Sequence, residues 1–133
     1  MRKFLRGSAL ALTIFGLSGF DLRAEDQSFL TLDEISKNII GSTMTGQAKD
    51  GGSYAEYYAP DGAIRGQSEK GGAYKGSWWL RKEDSLMCFK YGDGPFDAGC
   101  TRLALNGDKV DFVLMDGTME GTATLLNGNP KNL

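Results

Sequence analysis

Glu56, Asp61, Asp93, Asp97, Asp111 and Glu120 are the carboxylates that folding can bring together for general acid and base work. Two of them flanking a glycosidic bond would make a hydrolase. Their spacing selects no pair, however, and the part of the chain left for a folded domain offers little room for a sugar cleft. Histidine is absent from all 133 residues. Serine–histidine and cysteine–histidine catalysis therefore have no base, and the usual zinc and haem ligands are missing. The stretch from Asp93 to Asp97 could present oxygen ligands to calcium, but it lacks the spacing of an EF-hand loop. No glycine-rich phosphate motif stands between a strand and a helix. The expectation is a protein without catalytic residues, cofactor or metal, with a carboxylate-based hydrolase as the residual enzyme reading.

Aromatic side chains carry more information. Tyr54, Tyr57 and Tyr58 share one strand-like segment, so phenol rings project from both of its faces. Trp78 and Trp79 are adjacent, and in a strand they must point to opposite sides. One can enter the core. The other is exposed, covered by a helix, or part of a binding surface, where aromatics serve as anchors. The candidate ligand- or partner-binding residues are Trp78, Trp79, Tyr57, Tyr58, Arg81 and Tyr91. Trp79, flanked by Lys75 and Arg81, is the leading surface site.

The N-terminus bears on where those residues work. Arg2, Lys3 and Arg6 precede an apolar run, ALALTIFGLSGF, that is too short to span a bilayer and is followed by a polar stretch ending at Ala24. That is the layout of a secretory signal peptide over residues 1–24, which leaves 25–133 as a single domain and predicts a periplasmic or secreted protein with no membrane span after cleavage. The chain has 15 basic and 17 acidic residues. Four basic residues and one acidic residue fall before residue 25, so 25–133 carries a net charge of −5. Such a balance disfavours nucleic acid, which requires a basic surface to neutralise phosphates, and anionic membranes for the same reason. Cys88 and Cys100, the two cysteines present, are expected to pair in an exported chain. A redox role is disfavoured because they lack the Cys-x-x-Cys spacing that lowers a thiolate pKa.

The elements that must position these groups follow from periodicity. Thr31-Leu32-Asp33-Glu34 is a capping box, and Leu32, Ile35 and Ile39 recur at helical spacing before Gly41, predicting one short α-helix over about 32–40. From Ser42 onward glycines are dense, apolar and polar residues alternate, and turn signals recur about every ten residues. Strands are predicted at 43–48, 53–59, 63–68, 74–81, 85–91, 100–106, 109–115 and 118–126. Asn106-Gly107 and Asp116-Gly117 are expected to form type I′ hairpins. Short successive connections imply a meander in which each strand pairs with its neighbour. The fold class is therefore mainly β: a small antiparallel up-and-down barrel of about eight strands, preceded by a short helix.

The order of motifs over 41–132 resembles a family of small secreted proteobacterial proteins of unknown function. The residues that carry the resemblance are GSTMTG at 41–46, YYAPDG at 57–62, Gly76-Ser77-Trp78, LMCFKY at 86–91, Cys100, and Gly128-Asn129-Pro130. In architecture the chain is similar to lipocalin-like, calycin-like small barrels, whose own Gly-x-Trp lies on the first strand, whereas Gly76-Ser77-Trp78 falls on about the fourth. The resemblance implies a fold and a compartment, and no activity. The functional expectation is a binding protein that holds a small apolar or aromatic ligand in, or at the rim of, its barrel. The alternative is a protein-interaction module, such as an inhibitor or immunity-type protein acting on an envelope hydrolase.

Overall fold

A computed structural model describes residues 28–92 and 98–133. The expected signal segment and the carboxylates Asp93 and Asp97 lie outside those described residues. The eight strands are β1 (Thr43–Gln47), β2 (Ser53–Tyr58), β3 (Ala63–Ser68), β4 (Gly72–Arg81), β5 (Leu86–Tyr91), β6 (Gly99–Asn106), β7 (Lys109–Val113) and β8 (Met119–Leu126). Each pairs antiparallel with its sequence neighbour, and β8 returns to β1 to close the barrel. The closing ladder joins Thr43 to Leu126, Met44 to Leu125 and Thr45 to Thr124. Among the described residues closure leaves no strand at a sheet edge, which is how a meander of short strands avoids edge-to-edge association.

One end of the barrel is plugged. Helix α1 (Leu32–Asn38) starts at the capping box: the Thr31 amide donates to Glu34 Oε2 at 2.8 Å, and the Glu34 amide donates to Thr31 Oγ1 at 3.3 Å. Gly41, with φ +79°, ends the turn that follows the helix and admits β1. Ile35 and Ile39 are fully buried in a cluster with Met44, Ile64, Met87 and Leu103. These four come from different strands, so two isoleucines at helical spacing seal the end that they share. Among the described residues no helix is long and apolar enough to cross a membrane.

The two hairpin turns differ from the expected type I′, because only the glycines adopt positive φ. Gly107 has φ +62° and takes the first central position between Asn106 and Lys109, while Asp108 keeps an ordinary φ, as in a type II′ turn. Between Leu114 and Thr118 the loop is longer. The Leu114 amide donates to the Thr118 carbonyl at 2.8 Å, Gly117 has φ +88°, and the Asp116 carboxylate accepts from the Thr118 amide at 2.8 Å. A register shift at Phe112/Val113, where Val113 pairs with Met119 and Phe112 with Gly121, leaves Met119 exposed. Plain alternation would have placed Met119 inside, together with Gly121 and Ala123.

The cysteines form the expected disulfide. Cys88 and Cys100 are directly opposed on β5 and β6, with Cα atoms 4.0 Å apart. Cys88 also pairs with Trp79 on β4, so the indole and the bridge lie in one row across three strands of the outer wall.

Candidate functional site: a tyrosine-lined cavity around Glu56

The interior of the barrel away from the helix is filled by tyrosines. On β2, alternation sends Tyr54, Glu56 and Tyr58 inward together. Glu56 retains 2% of its exposure, although among the described residues no cationic side chain bonds to it. Its partners are phenols. Tyr58 donates to Oε2 at 2.5 Å, Tyr91 to the same oxygen at 3.2 Å, and Tyr74 to Oε1 at 2.7 Å. These three hydroxyls arrive from β2, β5 and β4, so the cluster exists only because the barrel is closed in this register.

Glycines make the space. In the ladders, Gly46 lies opposite Tyr54, Gly66 opposite Tyr74, and Gly76 opposite Tyr91. A Cβ on Gly66 would fall 2.2 Å from Tyr74 Cζ, and one on Gly76 would fall 2.9 Å from Tyr91 Cδ1. Each ring thus lies flat over a residue with no side chain, which lets several large rings fit inside a small barrel. The rings also touch one another. Tyr58 meets Phe89 edge-on at 6.0 Å, Tyr74 meets Tyr91 edge-on at 6.1 Å, and Phe89 stacks on Tyr91 at 6.4 Å.

Burial shapes the electrostatics. Desolvation raises the Glu56 pKa above the ordinary carboxylate value, and the three tyrosine hydrogen bonds only partly offset it. The Tyr54, Tyr58, Tyr74 and Tyr91 phenols are all pushed upward, first by burial and then by the neighbouring carboxyl. They remain neutral hydroxyls throughout the physiological range.

Beside this cluster is a cavity of about 520 Å³, lined by Tyr54, Glu56, Tyr58, Phe89, Tyr91 and Phe112 and bounded at its mouth by Lys49 and Glu120. Gly121 of β8 lines it as well, and a Cβ built there meets no atom within 4 Å. That volume lies within the range of small-molecule sites. A wider, shallower depression on the outer wall, between β1–β3 and the C-terminal tail, holds no buried ionisable group apart from the edge of Tyr54. The interior cavity is the one with convergent polar chemistry.

Comparison of the chain with family models, with curated proteins and with solved structures gives no match. The site is therefore read from its own residues. The six candidates divide evenly between inside and outside. Tyr58 and Tyr91 line the cavity and bond to Glu56. Trp78 also points inward, but it packs against the core, and its Nε1 donates to the Ala59 carbonyl at 2.8 Å. Tyr57 lies on the outer wall beneath the Arg65 guanidinium, 5.6 Å from its ring centre. Trp79 and Arg81 are exposed on the same outer side, Trp79 by 46%.

The sequence presents Glu56 as one of six carboxylates among which it selects no pair and Tyr54 as one of three phenols on its segment, and it does not single out Tyr74 or Phe89. One signal was available. Tyr54-x-Glu56-x-Tyr58 places an ionisable residue between two aromatics on a single face of a strand, and a charge flanked by rings on a core face is unusual. Among the described residues no group of histidine, cysteine, aspartate or glutamate is arranged to hold a metal ion.

Proposed function

We propose that this is a secreted or periplasmic binding protein that holds a small ligand with an aromatic or apolar body inside its barrel, without catalysing a reaction. The observation that carries this reading is the 520 Å³ cavity, walled by aromatic rings and left open where Gly121 lacks a side chain. Ligand sites combine an apolar lining with a few placed polar groups, and here the polar group is Glu56 with its tyrosines. A disulfide on the outer wall suits an oxidising compartment. The motif order that resembles small secreted proteobacterial proteins fits the same compartment.

The test is to fill the cavity. Gly121→Leu places an isobutyl group where nothing stands within 4 Å of a Cβ, so the barrel should retain its thermal midpoint. Native mass spectrometry of wild-type protein purified from its own host should reveal a co-purifying small molecule that Gly121→Leu lacks. Wild-type protein that carries no small molecule from that source would count against the reading.

A second reading, a protein-interaction module, is favoured by one specific feature. Trp79 is 46% exposed on the outer wall, in register with the disulfide, and is flanked on its strand by Lys75 and Arg81. A stoichiometric protein partner in the same experiment would support it.

A further inference from the structure

The polar group in the cavity indicates which ligands fit. Glu56 is a buried carboxyl whose bonding partners among the described residues are hydroxyls. An ionised carboxylate offers about four acceptor positions, and Tyr58, Tyr74 and Tyr91 take three of them. The fourth is on Oε1, which among the described residues accepts from Tyr74. Around the carboxyl stand the rings of Tyr54, Tyr58, Phe89 and Tyr91, all on the cavity wall. An anion inside a ring of aromatic faces is the arrangement that receives an organic cation, since both the charge and the ring quadrupoles attract it. Among the described lining residues, Lys49 and Glu120 at the mouth are one of each sign, so Glu56 is the ionisable group that the interior presents.

We propose that the cavity binds a protonated amine carried on an aromatic or apolar body, with the ammonium group held by Glu56 and the rings of Tyr54, Tyr58, Tyr91 and Phe89. This rests on the ligand-binding reading above and specifies its ligand class. The tyrosines facing Glu56 from β2, β4 and β5 hold the carboxyl in place and stabilise its ionised form, while burial opposes that form. An incoming cation supplies the opposite charge that neutral hydroxyl donors do not. A neutral ligand gains nothing from the carboxyl, and an anionic one is repelled.

Three indole probes of similar size separate the possibilities: tryptamine, which is cationic, tryptophol, which is neutral, and indole-3-acetate, which is anionic. Isothermal titration calorimetry of each into the intact domain should rank tryptamine at least about tenfold tighter than the other two, as a charge-assisted contact in a dry site requires. Glu56→Gln keeps the shape and an acceptor for the tyrosines, and it should bring the three probes to within about twofold of one another. A wild-type measurement covers the case in which Glu56→Gln does not fold. As pH rises above the ordinary carboxylate value of 4.5, tryptamine should bind more tightly as Glu56 gives up its proton, by at most about tenfold per pH unit, whereas tryptophol should not change. If tryptophol or indole-3-acetate binds as well as tryptamine, the amine assignment is overturned and the cavity reading stands. If none of the three binds, both are overturned.

Discussion

Gly66 and Tyr74 face each other across the β3–β4 ladder, and the tyrosine ring occupies the volume that any side chain on Gly66 would need. The same ring places its hydroxyl 2.7 Å from Glu56 Oε1, so the packing of one glycine and the polarity of the cavity are coupled. Gly66→Ala should therefore destabilise the barrel by about 1–3 kcal/mol, the usual cost of overpacking. It should also turn the ring away from the carboxyl. Urea denaturation of Gly66→Ala, Tyr74→Ala and the double variant checks this. The two changes should be strongly non-additive, with most of the alanine's cost disappearing once the ring is gone. Additive losses would place the effect of Gly66 somewhere other than the Tyr74 ring.

The raised pKa of Glu56 makes a signed prediction about stability. A carboxyl whose folded pKa lies above its unfolded value binds its proton more tightly when folded. Its stabilising contribution is present below the unfolded value, near 4.5, and is lost as pH rises through the folded pKa. Wild type should thus lose stability relative to Glu56→Gln as pH rises from about 4.5, with a slope of at most about 1.4 kcal/mol per pH unit. Exposed Glu69 and Asp116 shift the other way, through hydrogen bonds to Ser53 and Thr118. Both are present in each protein and cancel in the difference. A stability gap between the two proteins that is flat, or that moves in wild type's favour as pH rises, would rule out a Glu56 that resists ionisation.

The fold was legible where local chemistry decides, and the site only in part, for a physical reason. Thr31 and Glu34 are three residues apart, so their capping box can be read directly, and the predicted strands match the observed ones to within about two residues because burial alternates with period two. Glu56 and Tyr91 are 35 residues apart. Whether they meet depends on the registers of three successive ladders and on barrel closure, none of which leaves a local pattern. Alternation gave Trp78 and Trp79 opposite faces but no sign; closure around the helix-plugged core turns Trp78 inward. Met119 broke the pattern because the register shift at Phe112/Val113 adds a residue to β8.

Trp79 and the disulfide yield the last prediction, because the indole sits in register with Cys88 and so reports on the bridge. The bridge closes a loop with a sequence separation of 12, and in the chain-entropy description such a constraint contributes on the order of 3 kcal/mol. Replacing both cysteines with serine should lower stability by about that amount while leaving Glu56, on the inner face, with its three hydroxyl partners. Trp79 emission should change on reduction of the wild type, since disulfides quench nearby indoles, and Trp79→Phe should abolish that change and leave unfolding nearly unaltered. Trp79→Ala separates the two functional readings. A small-molecule site inside the barrel should be indifferent to it, whereas a protein partner docked on the outer wall should be lost, because exposed aromatic anchors carry much of an interface's binding energy. If Trp79→Ala abolishes capture of an amine probe, the ligand is not inside the barrel around Glu56.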